Sequence, residues 1–217
     1  MATTYLQAVN DVLIRLREST VSTVSETSYS TLIGKFVNDT KRAVEDSYTW
    51  NVLTTNIAIP TVSGTATYSM TGAGQKFRVM DAVNVTGNFG LRNIDNNRMY
   101  RYLNFGSPAN AIPSYYAFNG VDGNYDTQVD VFPKPDGVYN LVFTVVIPQD
   151  TLSSDNTVIS VPAELVIQGA YARALVERGE DGGLNSSEAY ALYRSMLSDY
   201  IALESTRYPD EGQFEAV

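Results

Sequence analysis

The first fifty residues carry two runs of apolar positions with the period of a helix. Within 4–18, apolar side chains recur every three or four residues, the spacing that places them on one helical face. These positions are Leu6, Val9, Val12, Leu13 and Leu16. The same spacing returns from Leu32 to Tyr48, after a Ser/Thr-rich connector, and predicts a second helix over about 30–50. Each helix therefore has one apolar face that needs a covering partner.

Between 52 and 150 the period changes to two, which is typical of strands. The apolar runs are separated by Gly, Pro, Asn or Asp, and they lie at 57–59, 66–70, 77–80, 83–85, 114–118, 128–132 and 139–147. In the last run, Val142 and Val146 make the second face apolar as well. This strand is therefore predicted either to be central in a β-sandwich or to contact a partner along that face.

The helical period returns at Pro162. The first of two further helices contains Gly169, and because an interior glycine costs about 1 kcal/mol relative to alanine, it predicts close helix packing. The last helix, 186–205, carries a broad apolar stripe from Ala189 to Leu203. The simplest arrangement packs the N- and C-terminal helices together and leaves the β region as an insertion.

We therefore predict an α+β fold in which a helical bundle, formed by the N- and C-terminal helices, carries an inserted antiparallel β-sandwich or barrel-like domain. The predicted boundaries are 1–51 and 162–206 for the bundle, 52–161 for the β domain with its linker, and 207–217 for an extended C-terminal arm. Pro209 and Gly212 end the last helix, and the remainder is too short and too acidic to fold alone.

The amino-acid composition excludes several kinds of catalytic and metal-binding site. The chain has no Cys and no His, which excludes disulfides, thiolate nucleophiles, His-based triads and most zinc sites. A net charge of −9, with only 15 Lys and Arg residues, disfavours nucleic-acid binding and suits a surface that DNA passes without adhering. No segment has the pattern of a signal peptide or a membrane span, so we expect a protein made and used without crossing a membrane.

The stretch between the last two helices, ALVERGEDGGLNSSEAYALY (174–193), is rich in charges and glycines. It lacks the Lys-Ser/Thr ending of a phosphate-binding loop and follows a helix rather than a strand, so we interpret it as an interhelical connector. Gly179 supplies the positive φ that ends a helix. The charged residues around this connector are candidate contacts with a neighbouring subunit: Arg173, Glu177, Arg178, Glu180 and Asp181.

One short loop alternates acidic and amide residues like a calcium-binding loop. Asp122, Asn124 and Asp126 have the required spacing, but Thr127 and Pro133 stand where an EF-hand has Gly and Glu. A polar β-turn is the better interpretation. We accordingly expect no catalytic residues, no metal and no cofactor.

Several segments together resemble the head-to-tail adaptor proteins of short-tailed bacteriophages, the tail tubular protein A type. The resemblance covers nearly the whole chain and lies in the order of the helices, in the β insertion after the second helix, and in five segments. These are YLQAVNDVLIRL (5–16), VSTV (21–24), SYTWNV (47–52), GAYARALVERG (169–179) and SDYIALE (198–204).

The resemblance implies a structural virion protein, not an enzyme, that forms a homo-oligomeric, dodecameric ring in the neck of the particle. Such a ring joins the portal protein to the tail nozzle protein, with tail fibres as further candidate partners, and DNA passes through it without specific binding. Assembly takes place in the host cytoplasm, without a membrane. Two aromatic residues of the arm, Tyr208 and Phe214, are candidate contacts to the portal or a neighbouring subunit.

The main alternative belongs to another class of protein: a carbohydrate-binding module or fibre-type adhesin built on the β insertion, with tyrosines as sugar platforms. A glycosidase that uses Glu177, Glu180 and Asp181 as paired carboxylates comes third. A solvated charged turn explains these three residues better than a catalytic pair.

Overall fold

The computed structural model describes residues 2–106, 108–179 and 184–208. It divides the chain into two compact units. The helical unit combines the chain up to Leu53 with the chain from Gln149 onward, and the β unit is Thr54–Pro148. The fold of the described residues is mixed α+β, with five α-helices and two four-stranded sheets.

The elements follow in this order along the chain. The helices are α1 Tyr5–Arg15, α2 Ser28–Ser47, α3 Asn96–Asn104, α4 Ala163–Arg178 and α5 Leu184–Arg207. The strands are β1 Thr54–Pro60, β2 Thr67–Ser69, β3 Arg78–Asn84, β4 Phe89–Gly90, β5 Arg92–Asn93, β6 Tyr115–Val121, β7 Thr127–Phe132 and β8 Asn140–Val146. A short 3-10 turn, Asn51–Leu53, precedes β1.

The first two helices begin at capping boxes, in which a threonine side chain accepts from a backbone amide three residues later. Thr4 caps α1 and Thr27 caps α2. The predicted helix over 4–18 is too long, because Leu16 leaves the helical conformation and Arg17 has a φ of 60°. The predicted helix over 30–50 begins two residues earlier and ends at Ser47, because Tyr48 is extended.

The apolar faces of α1 and α2 are buried within the helical unit. Val9, Val12, Ile33 and Val37 are fully buried, as is Leu165 of α4. Helix α4 contacts both α1 and α2. Removing a side chain of this size from water stabilises a fold by about 1.5–3 kcal/mol. Burial of these faces is therefore a main source of the stability of the helical unit.

The N-terminus of the helical unit is tied to the segment that precedes α4. The backbone amides of Tyr5 and Leu6 donate to the carbonyls of Thr157 and Asp155, at 2.9 and 3.1 Å. Thr4 also forms a β-bridge with Val158. These bonds satisfy amides of the first turn of α1, which have no partner inside the helix.

A row of buried polar side chains on α2 binds the chain where it re-enters the helical unit. Asn38 pairs with both backbone polar groups of Leu152, at 2.8 and 3.1 Å. Lys41 Nζ donates to the Gln149 carbonyl at 2.6 Å and to Glu45 Oε1 at 3.0 Å, and Glu45 Oε1 accepts from the Gln149 amide at 3.2 Å. We call these five residues the polar clamp. Its charged side chains are at most 1% exposed.

In the β unit, one sheet has the order β1-β8-β3-β4 and the other β2-β7-β6-β5. β8 is interior to its sheet and pairs antiparallel with β1 and β3, consistent with the apolar character of both its faces. The predicted strands 77–80 and 83–85 are one strand, β3, with a bulge between Val79 and Asp81.

Two parts of the predicted β architecture are wrong. The sheets are not entirely antiparallel, because β5 and β6 pair in parallel, with Arg92 opposite Tyr115. This pair is joined through α3, the kind of crossover that parallel strands require. Among the described strands the pairings also do not close into a barrel, since each sheet has two free edges.

Residues of both sheets share one apolar cluster. Val129 and Val131 of β7 and Leu141 and Phe143 of β8 are completely buried in it. The rings of Tyr116 and Phe143 meet edge to face, with centroids 5.3 Å apart, a favoured aromatic geometry. This cluster is the core of the β unit.

The polar clamp can be tested by removing its cation. Lys41→Met leaves Glu45 and the Gln149 carbonyl buried without their donor, so we expect the free energy of unfolding to fall by about 3–5 kcal/mol. Urea unfolding measures the loss. Lys35→Met, at an exposed lysine of the same helix, is the matched control and should stay within about 0.5 kcal/mol of wild type.

The double variant Lys41→Met/Glu45→Leu should recover part of the loss, because it removes both buried charges. Unfolding midpoints that agree between Lys41→Met and Lys35→Met would show that the Lys41 contacts of the clamp contribute nothing to stability.

Candidate assembly interface

An open, mainly apolar groove of about 690 Å³ lies between α2, α4 and α5. We call it the helical groove. Its lining includes Phe36, Thr40, Gly169, Val176, Tyr190 and Leu197. Val176 and Tyr190 are more than half exposed, so the groove presents apolar surface to solvent.

The floor of the groove exists because α4 approaches α2 and α5 closely at Gly169. A Cβ atom at this position would lie 2.4 Å from Thr40 Cγ2 and 3.0 Å from the Tyr193 ring. Any side chain would therefore force the helices apart, and the predicted close packing at Gly169 is confirmed. Burial raises the pKa of the Tyr193 hydroxyl above its ordinary value.

Two of the candidate contact residues lie together on the groove. Arg173 and Glu177 are exposed, one turn apart on α4, and both line it, together with Arg194 of α5. The groove thus combines an apolar floor with charged groups of both signs, a composition found in protein interfaces with an apolar centre and a polar rim.

Arg178, a third candidate, is engaged within the chain. Its guanidinium donates to the Tyr29 hydroxyl at 2.9 Å and to the Leu16 carbonyl at 3.2 Å, and it forms an ion pair with Glu18. The hydrogen bond that Arg178 donates to Tyr29, and after it the one that it donates to Glu18, raise the pKa of Arg178 above its ordinary value. Arg178 therefore joins the end of α4 to the end of α1 and the start of α2.

Tyr208 lies at a second hollow of the helical unit, which includes Trp50, Val158 and Arg207 in its lining. Its side chain is 48% exposed. The other three candidates, Glu180, Asp181 and Phe214, lie outside the described residues, as does the predicted arm from Pro209 onward.

The apolar stripe predicted for α5 is only partly covered. Ala189 and Tyr193 are buried, but Leu192 and Leu203 are 53% and 60% exposed. The stripe is wider than the surface that α4 offers to it, so leucines on its margin remain in contact with water. The sequence predicted one broad apolar stripe on this helix, wider than its helical neighbour alone would bury, and the exposed leucines lie within that stripe.

The loop that resembles a calcium-binding loop is a polar β-turn, as predicted. Asp122 Oδ1 accepts from the amides of Asn124 and Asp126 at 2.8 and 3.0 Å, and the Tyr125 amide donates to the Asp122 carbonyl. The Ser69 hydroxyl, and then these amides, hold the pKa of Asp122 below its ordinary value. Across the described ranges, the acidic side chains form no group of three suited to a metal ion.

None of the helices in the described ranges is long and apolar enough to cross a membrane. No curated protein sequence matches the chain. A family model described as SU10 adaptor protein matches residues 3–213, which include both units. That family comprises phage head-to-tail adaptors, structural proteins of the virion neck that associate with other head and tail proteins. The resemblance in the sequence is therefore confirmed, and the chain belongs to the SU10 adaptor protein family.

Proposed function

We propose that this chain is the subunit of a dodecameric adaptor ring that joins the portal protein to the tail nozzle and surrounds the channel through which DNA leaves the particle. The family match carries the proposal. The uncovered apolar surface of the helical groove and of α5 supports it, because a subunit that functions by assembly must present such surface.

Within this subunit we propose a helical bundle built from both ends of the chain and a β-sandwich inserted between its halves. Contacts of α4 with both α1 and α2 support the bundle. The shared cluster of the two sheets, centred on Phe143, supports the sandwich. In this proposal, the boundaries between the bundle and the insertion lie near the positions at which the spacing of apolar residues changes from that of a helix to that of a strand and back.

The helical groove is the proposed contact with a neighbouring subunit. Its apolar floor gains stability when water is displaced from it, and Arg173, Glu177 and Arg194 can pair with charges on a partner. The proposed ring therefore relies on α2, α4 and α5 for association. Arg178 contributes only indirectly, since its hydrogen bonds hold α4 in place.

A charge placed in the groove tests this contact. Val176→Asp puts an unpaired carboxylate at a position that is 67% exposed in the free subunit and buried in the proposed ring. We expect association to weaken at least tenfold, which is about 1.4 kcal/mol or more, while the melting temperature of the subunit stays unchanged. Native mass spectrometry and electron microscopy, with and without portal protein, measure assembly.

Val138→Asp is the matched control, because Val138 is 74% exposed and belongs to the β unit. It should assemble like wild type. Rings that form equally well from Val176→Asp would remove the helical groove from the proposed interface.

The acidic balance of the chain fits a wall along which DNA moves without adhering. Non-specific binding is driven by the counterions that DNA releases when Lys and Arg neutralise its phosphates. A chain with a net charge of −9 repels the phosphates instead. We therefore expect no binding to duplex DNA at low salt, at protein concentrations up to about 10 µM. Fluorescence anisotropy of a labelled duplex measures it, and salt-sensitive binding in that range would contradict the proposed channel wall.

The C-terminal residues form the second proposed contact, an arm that docks on the portal or a neighbouring subunit with Phe214 as its anchor. Phe214→Ala, or removal of 209–217, should leave the melting temperature nearly unchanged and weaken ring formation or portal docking. Phe105→Ala, at a phenylalanine that is 67% exposed in the β unit, is the control. Unimpaired assembly without the arm would rule this contact out.

A further inference from the structure

The β unit contains a cleft of about 460 Å³ beside α3 that differs in chemistry from the helical groove. Its lining is mostly polar and includes Asn96, Asn104, Asn119, Asp130, Lys134 and Tyr100. Its volume falls within the range of small-molecule sites, about 300–1,000 Å³. We call it the polar cleft.

Asp130 is the buried residue among those that line the polar cleft. On β7 the neighbouring Val129 and Val131 are buried in the apolar core, so the alternation of the strand directs Asp130 to the opposite face of the sheet. Asp130 is only 7% exposed. Its Oδ1 accepts from the Thr67 hydroxyl at 2.5 Å and its Oδ2 from the Asn119 amide at 2.9 Å.

These two hydrogen bonds orient the Asp130 carboxylate but do not use all of its acceptor positions. Each carboxylate oxygen can accept more than one hydrogen bond, so Asp130 keeps acceptor capacity toward the cleft. Asn119 is exposed and is held by its bond to Asp130, which leaves its amide oxygen able to accept from a ligand. The pair therefore offers a planar, preorganised set of hydrogen-bonding groups.

The ammonium group of Lys134 and the aromatic ring of Tyr100 are also free to contact a ligand in the cleft. Lys134 is half-buried, and its Nζ makes no hydrogen bond or ion pair with the described residues. The Tyr100 side chain is 65% exposed. Its helix is held against the sheet by Tyr102, whose ring lies 4.8 Å from Phe132 and 6.1 Å from Tyr115, measured between centroids. The position of the Tyr100 ring is therefore fixed by the packing of its helix against the sheet.

We propose that the polar cleft binds a neutral saccharide unit. Adjacent sugar hydroxyls donate and accept together, which matches a carboxylate, amides and an ammonium arranged around one cavity. The apolar C–H face of a pyranose ring packs against an exposed tyrosine ring such as Tyr100. This function is additional to the proposed ring and does not depend on it.

Other ligand classes fit the cleft less well. Asp130 repels anions and Lys134, which also lines the cleft, repels cations, so a wall that carries both signs of charge favours a neutral ligand. A purely apolar ligand would displace water from the remaining acceptor positions of the Asp130 carboxylate and of the Asn119 amide oxygen without replacing its hydrogen bonds, which is costly. A polyhydroxylated neutral ligand satisfies both signs of charge at once.

Saturation-transfer NMR on the full chain tests the proposal. The probes are the methyl glycosides of glucose, galactose, mannose and N-acetylglucosamine at about 10 mM, above the millimolar dissociation constants of weak ligands. We expect transfer to at least one of them, strongest at the C–H protons of one ring face. Tyr100→Ala and Asn119→Ala should each weaken binding about tenfold or more. Tyr100→Ala should leave the melting temperature unchanged, whereas Asn119→Ala lowers it somewhat, because the buried Asp130 loses one donor, so circular dichroism checks that this variant is folded.

Tyr125→Ala is the control, because Tyr125 is 70% exposed on the Asp122 turn, outside the lining of the cleft; it should bind like wild type. Absence of transfer to all four glycosides overturns the proposal. Binding that persists in both Tyr100→Ala and Asn119→Ala overturns it as well, since the sugar then lies elsewhere. Binding of inorganic phosphate or glucuronate alone, lost in Lys134→Gln, identifies an anion site instead and also overturns it.

Discussion

The helical unit depends on two opposite charges that are completely removed from water. Lys41 and Glu45 lie one turn apart on α2, and their attraction is accompanied by hydrogen bonds to both backbone groups of Gln149. Burying either ion alone would cost several kcal/mol, so each is tolerated only in the presence of the other. Glu45 Oε2 has no hydrogen-bond partner among the residues that the structure describes, so the contacts of Oε1 with Lys41 and the Gln149 amide are the ones that compensate the burial of this carboxylate.

The same constraint fixes the register of the returning chain. If the segment after β8 shifted by one residue, the backbone groups of Gln149 and Leu152 would lose their partners on α2, and Asn38 and Lys41 would be buried without theirs. Each such loss costs about 1–3 kcal/mol. The clamp thus favours the observed alignment of the returning chain on α2.

Sequence patterns predicted the parts of this architecture that rest on local periodicity. The apolar faces of α1 and α2 and the two apolar faces of β8 followed directly from spacing, and Gly169 indicated the close crossing of α4. The clamp was invisible, because Asn38, Lys41 and Glu45 have the appearance of a solvated face and their partners are more than 100 residues away. Helix α3 was missed since it is short and largely polar; its one clear signal is Asp95, which caps it.

In the candidate interface, too, contacts between residues close in sequence were predictable and contacts between residues far apart in sequence were not. Proximity of Arg173 and Glu177 follows from helical spacing alone, whereas the engagement of Arg178 depends on Leu16, Glu18 and Tyr29, which are far away in the chain. The polar cleft has a comparable origin. Asp130 could be assigned to the outward face of a strand, but its neighbours Asn119 and Thr67 come from other strands whose pairing the sequence does not reveal.

The hydrogen bonds between Tyr5, Leu6 and the segment 155–157 join residues that are translated far apart in time, which affects the order in which the two units can fold during synthesis. The β unit is continuous in the chain, so it can fold as soon as Pro148 has left the ribosome. The helical unit cannot, because α1 and α2 must wait for partners that are translated about 100 residues later, a delay of roughly 5–20 s at ordinary elongation rates. During that interval their apolar faces are uncovered. A fold that joins its two ends therefore leaves the apolar faces of its N-terminal segment open to other contacts until α4 has been translated.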